Sequence, residues 1–346
     1  MLNTPRKILA AALLQTLFVT GITALTGQAF ATGQRAAGIE YELTTRPAAV
    51  RAEYQASPDA DVVYLNITAI DGNRVQAALQ QPRSKKATDS VLIIDVHGSG
   101  DSYDKDPNAF LAPMLASKGY AVLGINTRQS GPAVNTDNFL SVRRDIEAAI
   151  YTGRALGYRK LVLLGHSLGN IQVQYYAANN WDADIRGVVL LGMFGNLPWK
   201  SRNILVQNEE NWGQLKAAAM DSLRNGTVAD VMPVKMRSYT GQEMAMTAQH
   251  FLTYRAEETS TADGTFWIRR ITQPILMVRN EADAVIQRFE PNMLLAAAQA
   301  PGSLVPSIRF VMLPNKNPLS LSSHYFGDNK EALIDTVSTW LGAQGL

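Results

Sequence analysis

The chain has 346 residues and 46% hydrophobic content, enough for a large single domain with insertions or two modest domains around a sizeable core. Its 32 basic and 30 acidic residues leave a formal charge of +2 with no basic run or arginine–aromatic alternation, so nothing points to a nucleic acid or anionic membrane partner. Cysteine is absent, which excludes disulfides, thiolate catalysis and lipidation at a cysteine.

The first element is a leader. Arg6 and Lys7 introduce an apolar segment from Ile8 to Gly27, and Ala29-Phe30-Ala31 places small residues two apart. That layout predicts a secretory signal peptide over residues 1–31 and a mature chain from Thr32. An uncleaved anchor is the competing reading, since the stretch is long for a signal core, but Gln15, Gly21 and the Ala-x-Ala end favour cleavage. Removing Arg6 and Lys7 takes the basic count from 32 to 30, equal to the acidic count, so the mature protein is formally neutral. The expected location is periplasmic or secreted, with no stable membrane association after cleavage.

Residues 32–60 show no clear period and read as a loosely structured lead-in. Asp61 to Ile70 and Arg74 to Gln80, joined by Asp71-Gly72-Asn73, predict an antiparallel hairpin. Short apolar runs then recur at Val91–Val96, Tyr120–Ile125, Leu161–Leu164, Val188–Leu191, Ile275–Val278 and Ile308–Leu313. Such runs suit strands buried on both faces. Between them lie helix candidates near 107–118, 137–156, 168–179, 288–300 and 328–342, so the pattern is α/β with a mainly parallel sheet covered on both sides. Residues 193–265 break the rhythm: they lack a comparable strand candidate and hold six of the eleven methionines with Trp199, Trp212, Phe251 and Tyr254. They read as a mostly helical insertion, between core segments 61–192 and 266–346, whose apolar residues form its own core or a ligand pocket.

The chemistry centres on Gly165-His166-Ser167-Leu168-Gly169, where a serine follows a buried strand and precedes a helix. A sharp strand-to-helix turn forces unusual backbone angles on the serine and leaves no room for side chains two residues before and two after. This motif in this setting resembles the nucleophile elbow of the α/β-hydrolase superfamily, and the resemblance runs over roughly residues 61–343. It implies an eight-stranded sheet, a cap inserted after the sixth strand, and Ser167 as nucleophile. In the family order the base comes last, which points to His324 in Ser322-Ser323-His324-Tyr325-Phe326. The acid follows a strand between the two, here in Arg279-Asn280-Glu281-Ala282-Asp283; Asp283 has the usual spacing and Glu281 is the alternative. Two backbone N–H groups would receive the oxyanion: that of Leu168, and one in His97-Gly98-Ser99-Gly100, with Ser99 favoured over Gly98 or Gly100.

Other residues carry weaker signals. His97 and His166 read as structural, His250 as cap packing or a substrate contact, and Arg128 as a partner of a nearby carboxylate more than a binder of an anionic substrate end. No His-Glu-x-x-His, phosphate-loop glycine pattern or metal-spaced carboxylates occur, so no cofactor or metal is expected. The expected activity is hydrolysis of carboxylic esters of small molecules through an acyl-enzyme. Lactone, amide or peptide hydrolysis by the same triad, and a non-catalytic binding protein on this scaffold, are the alternatives.

Overall fold

The computed structural model describes residues 38–346 except 49, 51–53, 55–57 and 239. The expected signal peptide lies outside the described residues. Among these residues no helix is long and apolar enough to cross a membrane.

The predicted hairpin forms from β2 (Ala60–Thr68) and β3 (Arg74–Pro82), paired antiparallel from Ala60 opposite Pro82 to Thr68 opposite Arg74. Gly72, at a φ of 82°, takes the left-handed turn position that a side chain would resist. The continuous apolar runs become β4 (Val91–Val96), β5 (Ala121–Ile125), β6 (Lys160–His166) and β7 (Ile185–Leu191). Parallel pairing joins β5, β4, β6 and β7.

These strands lack polar alternation because both faces are covered. Leu92, Ile94, Val96, Leu161 and Leu163 pack on one side against α2 (Val142–Ala155) and α3 (Leu168–Asn179). Val91, Ile93, Val162 and Leu164 alternate to the other side, against α1 (Asn108–Ser117). Successive side chains of a strand point to opposite faces, so one apolar run feeds two cores.

Among the described residues the main sheet has nine strands, one more than the resemblance implies. The addition is β1 (Glu40–Thr44), which pairs antiparallel with β2, a regular element within the segment read from the sequence as a loosely structured lead-in. Its five residues, Glu-Tyr-Glu-Leu-Thr, are too few and too charged to announce a strand; the hydrogen bonds of β2 make it one.

Between β7 and the next strand of the main sheet, the chain departs through α4 (Leu197–Lys200), a π-helical turn at Ser201–Val206, and α5 (Glu209–Asn225). Asn208 caps α5 by accepting the Asn211 N–H, and Gly226, at a φ of 72°, ends it. A small hairpin follows, β8 (Met236–Arg237) and β9 (Glu243–Met244), which the sequence reading did not anticipate because two-residue strands leave no periodicity. The segment closes with α6 (Ala248–His250), a π-helical turn at Phe251–Arg255, and α7 (Gly264–Trp267).

Its methionines and aromatics make a core of their own: Met232, Met236 and Met246 pack with Trp212, Leu215 and Phe251. A neck bridge between Asn196 and Asp263 joins its two ends. Buried Lys200 donates to Glu290 (2.6 Å) and to the Val285 carbonyl (2.9 Å), tying the segment to the core.

The sheet resumes with β10 (Ile275–Asn280), which pairs parallel with β7, and β11 (Ile308–Leu313), which pairs parallel with β10. Helix α8 (Glu290–Gln299) connects them. After β11 come α9 (Leu321–His324) and α10 (Lys330–Ala343). Leu333, Ile334, Val337 and Trp340 of α10 cover the same face as α1. The order β1-β2-β3-β5-β4-β6-β7-β10-β11 brings the C-terminal ends of β4, β6, β7 and β10 to one rim of the sheet.

Candidate active site

Ser167 stands on that rim between β6 and α3, with φ 50° and ψ −116°. A non-glycine residue there is strained and persists only where its surroundings hold it. Its N–H donates to Leu191 O on β7 (3.0 Å), and the Asn170 side chain clamps the turn by donating to Ser167 O (3.0 Å) and Leu191 O (2.7 Å). The flanking glycines are steric necessities: a Cβ on Gly165 would lie 2.4 Å from Gly169 O, and one on Gly169 would lie 2.3 Å from Val96 O. Both obstacles are backbone. Gly169→Ala is therefore expected to cost about 3 kcal/mol or more, read as a lowered urea midpoint. An unchanged midpoint would remove this account of the elbow.

The acid loop leaves β10 folded around a buried guanidinium. Arg279 donates to the carbonyls of Asn280 (2.8 Å), Asp283 (3.1 Å) and Ile286 (2.6 Å). The loop aims Asp283 inward: Oδ1 accepts the N–H groups of Val285 (2.7 Å) and Ile286 (2.9 Å), and Oδ2 lies 2.9 Å from His324 Nδ1. Burial would raise the Asp283 carboxyl, but the hydrogen bond from His324 and the two backbone donors outweigh it and hold the pKa below the ordinary value. An ionised Asp283 fixes the proton on Nδ1 and leaves Nε2 as the basic nitrogen. Glu281 turns outward, pairing with Arg288 at 3.5 Å, so of the two carboxylates only Asp283 meets the histidine.

His324 ends α9, whose N-terminus is capped by Ser320 accepting the Ser323 N–H. Asp328 anchors this segment to both neighbouring loops, accepting from Ser323 (2.7 Å), Asn280 (2.9 Å) and Asn315. The His324 carbonyl accepts from His166 Nε2 (3.0 Å), and the two imidazoles lie 4.8 Å apart. His324 also packs over Gly192, beside the Leu191 carbonyl that holds Ser167. The structure thus places Ser167, after β6, and the His324–Asp283 pair, after β10 and β11, on the same rim with the end of β7 between them. Its one side-chain hydrogen bond among the described residues is to Asp283; a direct bond from Ser167 is absent, as is common without substrate.

The loop after β4 closes the other side. A Gly98 side chain would start 3.2 Å from Ser167 Cβ, closer than ordinary contact, so glycine eases this approach. His97 holds the loop, its Nδ1 2.6 Å from Gly98 O and its Nε2 accepting the Thr127 N–H (3.1 Å). The N–H groups of Ser99 and Leu168 donate to no acceptor among the described residues, which leaves both available at the rim.

Burial lowers the His97 pKa to about 4; burial and then the neighbouring His324 lower that of His166 to about 3. Each therefore stays neutral where an unfolded imidazole, near 6.5, takes up a proton. The unfolded state then binds more protons, so each withdraws stability as pH falls below about 6.5, by about 1.4 kcal/mol per pH unit until its folded pKa is reached. Asp95, raised by burial to about 7, acts with the opposite sign, its folded carboxyl keeping a proton the unfolded chain has lost. The expected NMR result is that the ring shifts of His97 and His166 do not titrate between pH 8 and pH 5; titration of either near 6.5 would contradict this burial.

His250 stacks on Tyr254 at 4.3 Å within the insertion. Arg128 pairs with Asp145 (2.8 Å) and Asp71 (2.9 Å), the structural role weighed for it. Neither Asn170 nor Asp328 could be given a role from the sequence. Asn170 left a faint signal, its position one residue past the elbow; Asp328 left none, since its partners come from three separate segments.

A nucleophile-elbow geometry on a mainly parallel sheet defines the α/β-hydrolase class, and the family described as alpha/beta hydrolase fold matches residues 91–289. The chain belongs to that family. No curated protein matches it in sequence. Among solved structures it is similar to Est1E from Butyrivibrio proteoclasticus with ferulic acid bound, at 16% identity and a TM-score of 0.58, over 81% of this chain and 98% of that one. The esterase domain of a Rhodothermus marinus protein is similar at 18% identity and a TM-score of 0.53, over 81% and 97% of the two chains. A hypothetical protein from Pseudomonas aeruginosa reaches a TM-score of 0.61 at 14% identity, over 87% of this chain and all (100%) of the other. At these identities the likeness is one of fold.

Proposed function

We propose that the protein is an exported serine hydrolase that cleaves carboxylic esters of small molecules. The observation that carries this reading is Ser167, strained at φ 50° on the strand end beside a buried His324–Asp283 pair 2.9 Å apart. Family membership and the esterases among similarly folded proteins support a hydrolase. Ser167 attacks the ester carbonyl while His324 Nε2 takes its proton, and Asp283 stabilises the imidazolium that forms. The amides of Leu168 and Ser99 receive the negative charge on the carbonyl oxygen. His324 then returns the proton to the departing alcohol, and water, deprotonated by the same imidazole, clears the acyl group from Ser167.

Insertion 193–265 serves as a cap in this reading, and residues 1–31 as a signal peptide removed on export to the periplasm or medium. Profiling the purified protein against esters, lactones and amides of graded chain length tests the reaction. Turnover of amides or lactones in preference to every ester would overturn the ester assignment. Mass analysis of the exported protein tests the leader, and a chain still beginning at Met1 in the membrane fraction would make residues 1–31 an anchor.

A further inference from the structure

The loop after β4 turns back at Asp101, whose N–H donates to Gly98 O at 3.3 Å. The turn brings Asp101 Oδ2 to 3.0 Å from the point where a Gly98 side chain would begin, and that point is 3.2 Å from Ser167 Cβ. The carboxylate oxygen is thus no farther from Ser167 Cβ than the sum of these distances, about 6 Å.

Asp101 is half-buried. Among the described residues no donor bonds its carboxylate and no cation stands within ion-pair reach; Lys105 acts on it only from longer range. It also acts electrostatically on His324 and on Tyr325, a half-exposed ring 5.4 Å from that of His324. An unpaired carboxylate so near the nucleophile opposes the negative charge that develops during attack on a neutral ester. A positive charge on the substrate removes that opposition, because an unpaired carboxylate is an ion-pair partner for an alkylammonium.

We propose that Asp101 is a specificity residue that selects esters bearing a positive charge close to the scissile bond, such as esters of amino acids or of amino alcohols. The inference rests on the ester-hydrolase reading and names its substrate class. Two isosteric pairs test it: an alanine ester against the matching isobutyrate ester, and acetylcholine against 3,3-dimethylbutyl acetate. In each pair one cationic group replaces a neutral one of the same shape.

The expected result is a kcat/KM at least about tenfold higher for the charged member of one pair or both, erased in Asp101→Asn and largely retained in Asp101→Glu. Fluorophosphonate labelling of Ser167 in each variant verifies that the site has formed. No charge preference in either pair, or one that survives Asp101→Asn, would overturn the inference while the neutral esters still turn over. Hydrolysis of none of the four would remove the ester reading and this inference with it.

Discussion

Ser167→Ala is expected to abolish ester hydrolysis, a loss of about 10⁴ to 10⁶ in turnover, and to leave no site for a fluorophosphonate. The size follows from where the serine sits. In the proposed reaction its Oγ forms the covalent intermediate, and no other hydroxyl stands on the same turn to replace it. Alanine suits the position poorly but no worse than serine, since both carry a Cβ at a positive φ, so the fold should survive. Intact-mass spectrometry of the labelled wild type and variant checks this. An adduct on the variant, or none on an active wild type, would end the serine mechanism.

Asp283→Asn should be the second most damaging change, lowering turnover by at least about 10² near neutral pH with little effect on folding. An asparagine oxygen still accepts from Val285 and Ile286, which keeps the loop, but its amide faces His324 Nδ1 with N–H groups. The imidazole then takes the tautomer whose Nε2 carries the proton and cannot accept another from Ser167. The aspartate also contributes to stability through its lowered pKa. That contribution is present above the unfolded value, near 3.9, and fades as pH falls through the lower folded one. Glu281→Gln should change little, because the Glu281 side chain is 41% exposed and its ion pair with Arg288 is solvated. Parallel kinetics of the two variants decide the matter. A crippled Glu281→Gln beside an active Asp283→Asn would transfer the acid role.

Some elements were plain in the sequence because their physics is local. The helix expected over 168–179 occupies Leu168–Asn179, since it starts at a sharp strand-to-helix turn that only glycines two residues either side permit. Strands β4 to β7 and β10 showed as apolar runs because both faces of each are covered. Strand β1 and the β8–β9 hairpin hid, the first because a short charged edge depends on its neighbour, the second because two residues carry no period. The role of the insertion's methionines was open in the sequence. Packing against Trp212 and Phe251 answers it in favour of an internal core.

By itself the sequence determined the α/β class, the order of the buried strands and the helices between them, the strained serine and the loops in which acid and base had to be sought. Periodicity and glycine sterics act within a few residues, and a single chain displays them in full. Only the tertiary structure decided that Asp283 and not Glu281 meets His324, across 41 residues of chain. It alone placed His166 under the His324 carbonyl, 158 residues away, drew Asp328 to three segments, and left Asp101 near Ser167 with no ion-pair partner among the described residues. Which groups face one another across the sheet depends on strand order and loop path, and hydrogen bonds over such separations leave no local pattern.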